Sequence, residues 1–278
     1  MKIIILGSNG MLGNYVKKIL EKDYEILEIT RDKFDIINEW NKNKNYKLYK
    51  IKLEEILKLN KEDYIINCIG KIPQKSFDIG RDINEYILIN TLFPIILNEI
   101  SMKNENKMIH ITTDCVFSGE KGLYDEDDNS DTTKLYGITK SISDNINCCI
   151  IRTSIIGEEL HYKKSLLEWI KKNKNGEING YTNHLWNGIT CLTLAKMIKI
   201  MIDKNIYWNG VRHIYSNIVS KYEICNYIND IYKLNIKIKE KEDIEKKDMT
   251  LKSKYKNEIM EIKSIKEQII ELEKFNII

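Results

Sequence analysis

The sequence lacks both a long apolar segment and a strong net charge. Its first apolar run, residues 3–6, is far shorter than the roughly 20 residues needed to cross a membrane. The 44 lysines and arginines nearly balance the 41 aspartates and glutamates, which leaves a formal charge of +3. That charge is too small to indicate binding to nucleic acid or to an anionic membrane surface. We therefore expect a cytoplasmic protein with no secretory signal, no membrane contact and no nucleic-acid partner.

Proline and patterned cysteine are also scarce. The chain has only two prolines and no low-complexity segment, so no linker marks a domain boundary. The cysteines form no C-x-x-C pair and no metal-ligand spacing, and each lies in or beside an apolar stretch. They are Cys68, Cys115, Cys148, Cys149, Cys191 and Cys225. We expect reduced thiols and no bound metal.

Apolar runs of strand length alternate with helical patterns through the first half of the chain. Such alternation is typical of β-α-β units that build a parallel sheet. The predicted strands are residues 2–6, 25–30, 63–68, 107–112 and 148–153. After the first strand, apolar residues repeat at helical spacing, at Leu12, Val16, Ile19 and Leu20. The pattern predicts a Rossmann-type α/β fold, a doubly wound parallel sheet of five or more strands.

Residues after about 153 alternate less regularly. Helices are predicted over residues 165–172 and from Thr190 onward, and residues 236–238 alternate like an exposed strand. Capping boxes, in which a serine and a glutamate three residues later satisfy the first helical amides, mark two later helices. They pair Ser220 with Glu223 and Ser264 with Glu267.

This change in pattern predicts two parts. Residues 1–152 are expected to form the larger α/β domain, and residues 153–278 mainly a smaller substrate-binding lobe. Part of residues 184–215 is expected to return to the larger domain. The smaller lobe is expected to cover the C-terminal edge of the sheet, where open α/β folds bind their ligands.

A glycine-rich turn follows the first strand directly and opens the first helix. Its residues are Gly7, Ser8, Asn9, Gly10, Met11, Leu12 and Gly13. Gly7 permits the tight turn, Gly10 lets the backbone approach a pyrophosphate, and Gly13 lets the helix pack on the strand. Because the helix amides can then hold the anion, the turn predicts a dinucleotide-binding site. The alternative is a plain strand-to-helix turn that uses glycine for flexibility.

The choice of cofactor is expected at the end of the second strand, where an acidic residue hydrogen-bonds the ribose hydroxyls of NAD. Thr30 and Arg31 stand there instead. A guanidinium group offers a planar fork of donors that suits the 2′-phosphate of NADP. The sequence therefore favours NADP(H), with NAD(H) as the alternative if Arg31 only faces solvent.

Tyr136 and Lys140 lie four residues apart, which places a phenol and an ammonium on one helix face. A free tyrosine titrates near pH ~10, and a nearby ammonium is expected to lower that pKa, so that Tyr136 becomes a usable acid or base. Thr113, just after a predicted strand, can hold a substrate oxygen by hydrogen bonding. The Y-x-x-x-K spacing alone is weak evidence in a chain with 16 tyrosines. Its value depends on the glycine turn and on Thr113.

Together these features resemble the extended short-chain dehydrogenases/reductases. The resemblance rests on the glycine turn, on the segment TTDCVFSG at residues 112–119 and on the Tyr136/Lys140 pair. Within that family the chain is most similar to the dTDP-4-dehydrorhamnose reductase group, strongly up to Thr153 and more loosely beyond it. The resemblance implies that Thr113 holds the substrate oxygen, that Tyr136 donates the proton, and that Lys140 tunes the tyrosine and binds the cofactor ribose.

The resemblance also implies cofactor contacts after the strand at residues 63–68. Asn67, Cys68, Ile69 and Gly70 match a segment that lies along the cofactor and usually reads Asn followed by small residues. Here Cys68 and Ile69 are bulkier than that pattern. Asn90 occupies a helix position where such enzymes often carry an asparagine that supports the active-site lysine through water. A surface asparagine is the equal alternative.

Cys115 distinguishes this chain from relatives that dehydrate nucleotide sugars. Those relatives carry a Thr-Asp-Glu run, and Cys115 replaces its glutamate, so the resemblance favours carbonyl reduction. A cysteine here also resembles reductases that first epimerise a keto sugar, with His184 as the second proton-handling residue of GDP-fucose synthase-like enzymes. With a lowered pKa, Cys115 would remove a proton α to the keto group while His184 returns one. Simple packing of Cys115 is the other alternative.

Further substrate contacts are predicted near the same edge of the sheet. Lys71 and Arg152, each near the end of a predicted strand, are expected to meet the diphosphate of a sugar nucleotide. Trp186 is expected to lay its ring against an apolar part of the substrate or, equally, to pack in the core. Asp114 is predicted as a substrate contact beside Thr113.

The sequence thus predicts an enzyme that uses NAD(P)H to reduce the 4-keto group of a nucleotide-activated 6-deoxy-hexulose, in surface polysaccharide sugar biosynthesis. The alternatives are a bifunctional epimerase/reductase, an isomerase that keeps its NAD bound, and a non-catalytic NADP-binding regulatory subunit. The last of these need not keep Thr113, Tyr136 and Lys140 together. A homodimer is expected through helices near residues 92–100 or after Tyr136, although packing on the sheet explains their apolar faces equally.

Overall fold

The computed structural model describes residues 1–73, 79–161, 163–275 and 277 of the chain. Its strands are β1 (Lys2–Leu6), β2 (Glu25–Ile29), β3 (Tyr64–Asn67), β4 (Lys107–Thr113), β5 (Cys149–Thr153), β6 (Ile155–Ile156), β7 (Glu177–Tyr181), β8 (His184–Trp186), β9 (Ile189–Thr190), β10 (Gly210–His213), β11 (Val219–Ser220), β12 (Lys237–Lys241) and β13 (Lys247–Asp248). Its helices are α1 (Met11–Leu20), α2 (Ile36–Asn43), α3 (Tyr46–Leu57), α4 (Ile79–Ile87), α5 (Phe93–Lys103), α6 (Leu135–Ser143), α7 (Leu166–Lys172), α8 (Cys191–Asp203), α9 (Lys221–Ile231) and α10 (Ile265–Lys274), with a π-helical turn (Leu88–Leu92) before α5 and a 3₁₀ turn (Asp114–Val116) after β4. Within these described residues, no helix combines the length and the apolar character that crossing a membrane requires.

A parallel sheet of six strands, in the order β10-β5-β4-β3-β1-β2, forms the centre of the described structure. The predicted Rossmann-type α/β fold is confirmed, and the predicted strands match β1 to β5 to within one residue at either end. The strand order reverses between β1 and β3. Open parallel sheets bind their ligands in the crevice beyond the carboxyl ends of the strands at such a reversal. The glycine turn, Asn67 and Thr113 all lie at those ends.

Burial on both faces explains why the central strands are almost continuously apolar. Successive residues of a strand point to opposite faces of the sheet. Ile3 and Ile5 pack with residues of α1, α8 and α10 on one face, and Ile4 and Leu6 pack with residues of α3 and α5 on the other. All four side chains are fully buried, so the sheet is a rigid base for the loops at its edge.

The strand β10 has no counterpart among the predicted strands. Its sequence reads GVRH, and the arginine and histidine interrupt the apolar run that would indicate a buried strand. Parallel pairing with β5 fixes it, with His213 opposite Arg152. β10 therefore lies in the larger sheet and within residues 184–215, while the division of the chain into two domains stays a prediction.

Helices in the second half begin within one residue of their predicted starts, each behind a capping side chain. Ser165 accepts a hydrogen bond from Glu168 N, and Thr190 accepts one from Thr193 N. Both predicted capping boxes are present at the starts of α9 and α10. β12 pairs in parallel with β7, which confirms the exposed strand predicted near residues 236–238.

Candidate active site

The glycine turn after β1 has the geometry of an anion site. Gly7 adopts a φ of +80°, which residues with a side chain rarely adopt, and its carbonyl accepts a hydrogen bond from Gly10 N at 2.9 Å. A Cβ on Gly13 would lie 2.1 Å from the Gly7 oxygen, so only glycine lets α1 begin this close to β1. Within the described part of the chain no side chain caps α1, and its first turn carries no acidic residue. Its first amides therefore remain available to a phosphate, which the positive end of the helix favours.

The other side chains of this turn differ in exposure. Ser8 and Leu12 are buried, Met11 is half-buried and Asn9 is exposed. Leu12 packs in the core, so it can contribute to a cofactor site only through its backbone amide.

Arg31 lies on the surface just beyond β2. Its side chain is 76% exposed, and its Nε atom is 4.0 Å from Oδ2 of Asp35, the residue that caps α2. An exposed ion pair of this length contributes little to stability. The guanidinium is therefore held loosely and can turn toward a phosphate at the end of β2.

The segment after β3 passes beside α6. Asn67 is fully buried, and its Oδ1 accepts a hydrogen bond from Ile69 N at 3.1 Å, which fixes the turn. A Cβ on Gly70 would lie 3.3 Å from Lys140 Nζ, so the small residue lets the lysine approach. Burial raises the pKa of the Cys68 thiol to about 12, so this cysteine stays protonated. The structure thus brings the predicted cofactor segment and Lys140 together.

Asn90 is buried in the π-helical turn before α5, so the surface alternative is wrong. Its Oδ1 accepts from Lys71 N at 2.8 Å, and its Nδ2 donates to Lys71 O at 3.0 Å and to Thr139 Oγ1 at 3.2 Å. Asn90 therefore ties the segment after β3 to α6, as π-helical turns at functional sites often do. Lys71 Nζ lies 2.7 Å from Glu85 Oε2, so its predicted contact with a diphosphate requires it to leave this ion pair.

The end of β4 carries a compact set of polar groups. Thr113 Oγ1 donates to Asp114 Oδ1 at 3.1 Å and accepts from Cys115 N at 3.1 Å. Asp114 is buried, and this burial raises the pKa of its carboxyl group. Cys115 Sγ lies 3.5 Å from the same carboxylate oxygen. These side chains stand at the carboxyl end of a central strand, where this fold binds ligands.

Tyr136, in the first turn of α6, lies beside Thr113, whose hydroxyl group favours the charged form of the phenol. Loss of water around the phenol, with Cys115 and Asp114 nearby, raises its pKa above the ordinary value of 10. The predicted lowering of this pKa is therefore wrong, because desolvation disfavours the charged phenolate. A phenol that is neutral at pH 7 suits a proton donor.

Lys140, one turn further along α6, is buried between the ends of β3 and β4. Its Nζ donates to Ile111 O at 3.1 Å and lies 3.5 Å from Ile69 O. Burial lowers the pKa of Lys140 to about 8, while Asp144 and Cys68 oppose that shift. One helix thus presents a neutral phenol at Thr113 and an ammonium at the predicted cofactor segment.

Arg152 is held in a buried ion pair. Its Nη2 lies 2.6 Å from Asp144 Oδ2, and its Nη1 lies 3.0 Å from His213 Nε2. The guanidinium also packs over the ring of Phe117, 5.1 Å from its centroid. The predicted contact of Arg152 with a diphosphate is wrong, because it would leave a buried carboxylate without its partner.

The proton-transfer roles predicted for Cys115 and His184 find no support in the structure. Burial raises the pKa of the Cys115 thiol to about 12, the opposite of the lowered pKa that proton abstraction needs. His184 lies in β8, with its Nε2 3.0 Å from Asp243 Oδ2 and 3.1 Å from Glu245 O. Its ring stacks on Tyr181 with centroids 4.8 Å apart. These contacts hold the histidine among residues of the second half of the chain.

Trp186, on the same strand as His184, is half-buried against the larger core. A Cβ on Gly188 would lie 2.2 Å from the indole, so the ring lies closely over that glycine. Core packing therefore accounts for part of this side chain, and its contact with substrate stays a prediction.

The prediction from sequence omitted three side chains that lie beside Lys140. Asp144 follows Lys140 by one helical turn, Ser143 ends α6, and His110 reaches Ser143 from the middle of β4. The i,i+4 spacing of Lys140 and Asp144 is a sequence signal that indicates proximity. His110 offers no such signal, because a lone histidine in the apolar run KMIHITT also suits a core position.

Known proteins resemble the chain over its whole length. The family model described as RmlD substrate binding domain matches residues 1–276. The sequence matches no curated protein. A solved dTDP-4-dehydrorhamnose reductase from Clostridium acetobutylicum, an RfbD ortholog, is 23% identical with a TM-score of 0.76, covering 98% of each chain. The dTDP-4-dehydrorhamnose reductase from Bacillus anthracis, in complex with NADP, is 20% identical with a TM-score of 0.78, covering 98% of this chain and 99% of that one.

A further structure with this fold comes from a protein with a different activity. The UDP-glucose 4-epimerase of Thermotoga maritima, solved with UDP-glucose, is 14% identical with a TM-score of 0.74. The match covers 99% of this chain and 98% of that one. At such identities the solved structures establish the shared fold alone.

Proposed function

The chain belongs to the RmlD substrate binding domain family, and we propose on this premise that it uses NAD(P)H to reduce the 4-keto group of a nucleotide-activated 6-deoxy-hexulose. The proposed substrate class is that of the dTDP-4-dehydrorhamnose reductases with the same fold. The proposed setting is the synthesis of a sugar for surface polysaccharide. One observation carries the proposal: the Tyr136 phenol lies beside Thr113 at the carboxyl end of β4, one helical turn from Lys140 on α6.

The proposed cofactor is NADP(H), with NAD(H) as the alternative. The tight glycine turn and the uncapped amides of α1 fit a pyrophosphate, and the exposed Arg31 fits the 2′-phosphate. Asn67 to Gly70 and Lys140 would hold the nicotinamide half, because the Gly70 backbone lies against the lysine. When bound, the nicotinamide supplies the hydride for carbonyl reduction.

Tyr136 is the proposed proton donor. Its raised pKa keeps the phenol protonated at neutral pH, and the phenol lies beside the Thr113 hydroxyl group. Thr113 is the second hydroxyl that can hold the substrate oxygen. Lys140, with a pKa of about 8, is charged at pH 7 and stabilises the negative charge that develops on the tyrosine oxygen as the proton leaves.

The remaining substrate contacts are proposed from position alone. Asp114 and Cys115 follow Thr113 at the end of β4, so they line the approach to the reacting carbon, Cys115 as a protonated thiol. Lys71 and Trp186 are proposed to contact the diphosphate and an apolar part of the substrate, respectively. Neither residue is required for the proton transfer.

A coupled assay tests the proposed reaction. Purified protein is incubated with NADPH and dTDP-4-dehydrorhamnose, and with a panel of other 4-keto sugar nucleotides. We expect one NADPH to be consumed per sugar, with NMR of the product showing a new hydroxyl group at C4. No NADPH consumption with any sugar would contradict the proposal. Sugar conversion without net consumption would instead identify an isomerase that keeps its cofactor.

We also propose that the protein forms a homodimer in the cytoplasm. Ile138 and Ile142 on the outer face of α6 are 41% and 47% exposed, which offers an apolar surface to a second copy. The helix α5 presents less apolar surface to a second copy, because its apolar residues are largely buried against the sheet. All six cysteines are free thiols, as a reducing compartment favours. Light scattering of the purified chain measures the oligomeric state directly.

A further inference from the structure

A chain of hydrogen bonds crosses the interior from the segment after β3 to α6. At its centre is His110, in the middle of β4 and with no exposed surface. His110 Nδ1 lies 3.1 Å from Asn67 Nδ2, and His110 Nε2 lies 3.2 Å from Ser143 Oγ. Ser143 Oγ in turn donates to the backbone oxygen of Lys140 at 2.7 Å. These hydrogen bonds therefore join the proposed cofactor segment to the helix that carries Tyr136 and Lys140.

The neighbours of His110 decide where its proton lies. Asn67 Oδ1 already accepts from Ile69 N, so the amide nitrogen of Asn67 faces the ring and donates to Nδ1. Ser143 uses its single proton toward Lys140 O, so its oxygen must accept from Nε2–H of His110. These contacts select one neutral tautomer, with the proton on Nε2.

Burial keeps that tautomer neutral. Removal from water, together with the nearby Lys140 ammonium, lowers the pKa of His110 well below its ordinary value of 6.5. A protonated ring would carry a proton on both nitrogens and would oppose Nδ1–H to the amide protons of Asn67. At neutral pH the ring therefore has a fixed geometric role and takes no part as an acid or base.

We propose that His110 is a positioning residue for the reduction: through Asn67 it fixes the 67–70 segment, and through Ser143 it fixes the end of α6 that carries Lys140. The inference rests on the proposed function. Thr113 ends the same strand three residues later. The strand β4 therefore carries the Thr113 hydroxyl group and, through His110, contacts both the proposed cofactor segment and the helix α6.

Two substitutions separate this role from packing. His110→Leu introduces an apolar side chain of similar size and removes both hydrogen bonds. Met108→Ala removes packing from the same strand and leaves the hydrogen-bond chain in place. NADPH affinity is measured by fluorescence without sugar, followed by kcat and KM with the sugar nucleotide and by thermal unfolding.

We expect His110→Leu to weaken NADPH binding and to lower kcat, each on the order of tenfold. Met108→Ala is expected to lower only the unfolding temperature. His110→Gln can still donate to Ser143 from the place of Nε2, so it is expected to recover most of kcat while NADPH affinity stays reduced. The positioning role is wrong if folded His110→Leu binds NADPH and turns over like wild type, or if Met108→Ala loses as much of both.

The wild-type protein supplies a second test that needs no folded variant. Nitrogen-15 NMR of histidine side chains distinguishes the two neutral tautomers from the charged ring. We expect His110 to show a protonated Nε2 and an unprotonated Nδ1 between about pH 6 and 8. A proton on Nδ1 would overturn the inference. If wild type oxidises NADPH with none of the sugars, the proposed function fails, whereas the tautomer and the NADPH affinities still decide the role of His110.

Discussion

The two sides of the proposed cofactor crevice are built differently. Where β4 meets α6, Thr113 and Lys140 are buried and hydrogen-bonded to fixed neighbours. Beside β2, Arg31 is largely exposed, and its acidic neighbour Asp35 lies 4.0 Å away. Loss of a partner from a buried polar group costs its full desolvation, whereas water screens an exposed charge. From this difference we expect the buried side to control the chemistry and the open side to set only the preference for one cofactor.

Removal of the Tyr136 hydroxyl is expected to have the largest effect. Tyr136→Phe keeps the ring in place but removes the proton donor, so kcat should fall by roughly 10²–10⁴-fold with NADPH affinity unchanged. Steady-state NADPH oxidation measures kcat, and fluorescence titration measures the affinity. Tyr46→Phe is the control, since it removes a surface hydroxyl that is bonded to Glu99. Undiminished turnover of Tyr136→Phe would place the donor elsewhere.

The pH dependence of kcat/KM should report the protonation state of the buried Lys140. Lys140 is charged below its pKa of about 8 and loses its proton as the pH rises through that value. Because kcat/KM reports the free enzyme, we expect it to decline above about pH 8. A pH profile of kcat/KM for wild type and for Lys140→Arg tests this, since arginine stays charged throughout.

Any activity that remains in Lys140→Arg should lack the decline near pH 8. If wild type and the variant decline together, the titrating group is not Lys140. A wild-type profile that is flat from neutral pH to well above 8 would mean that the ammonium charge is not needed for the reaction.

A smaller effect is expected on the open side. Arg31→Ala should weaken NADPH binding by about tenfold and leave NADH binding unchanged, because only the 2′-phosphate contact is lost. Fluorescence titration with each cofactor measures the ratio of the NADPH and NADH affinities in wild type and in the variant. Lys33→Ala removes the same charge two residues away and is the matched control. Equal affinities for both cofactors, unchanged in Arg31→Ala, would leave NADPH preference without a basis.

The smallest effect is expected from a residue on the buried side. Cys115→Ser keeps the shape of the side chain, and burial already holds the thiol protonated, so turnover should remain within about twofold of wild type. The same NADPH assay measures it. A loss of turnover as large as that of Tyr136→Phe would show that the buried thiol takes part in the reaction. That result would restore the epimerase alternative.

Much of the fold could be predicted because buried parallel strands read as apolar runs. β10, the strand of the central sheet that was not predicted, is held by pairing with β5, and no single-sequence pattern encodes that contact. The candidate site could be proposed from the sequence where chemistry follows local spacing, as in the glycine turn and the Tyr136/Lys140 pair. It was not predictable where burial decides: Arg152 appeared to be a free cation at a strand end, and only the folded chain shows its buried partner Asp144.

The same limit explains the error about Tyr136 and the omission of His110. The ammonium four residues from the phenol was evident in the sequence, but the loss of water that raises the pKa of the phenol depends on packing by distant segments. The partners of His110 lie 43 residues before it and 33 residues after it. Long-range contacts of this kind require the tertiary structure.

Transfer of hydride to the sugar carbon C4 is the central claim, and isotope labelling tests it most directly. The reaction is run in ordinary water with each stereoisomer of [4-²H]NADPH, and in parallel in deuterium oxide with unlabelled NADPH. The account predicts one deuterium at C4 from one of the two labelled cofactors and no carbon-bound deuterium from the solvent. Product without deuterium at C4, or with solvent deuterium at another ring carbon, would contradict it.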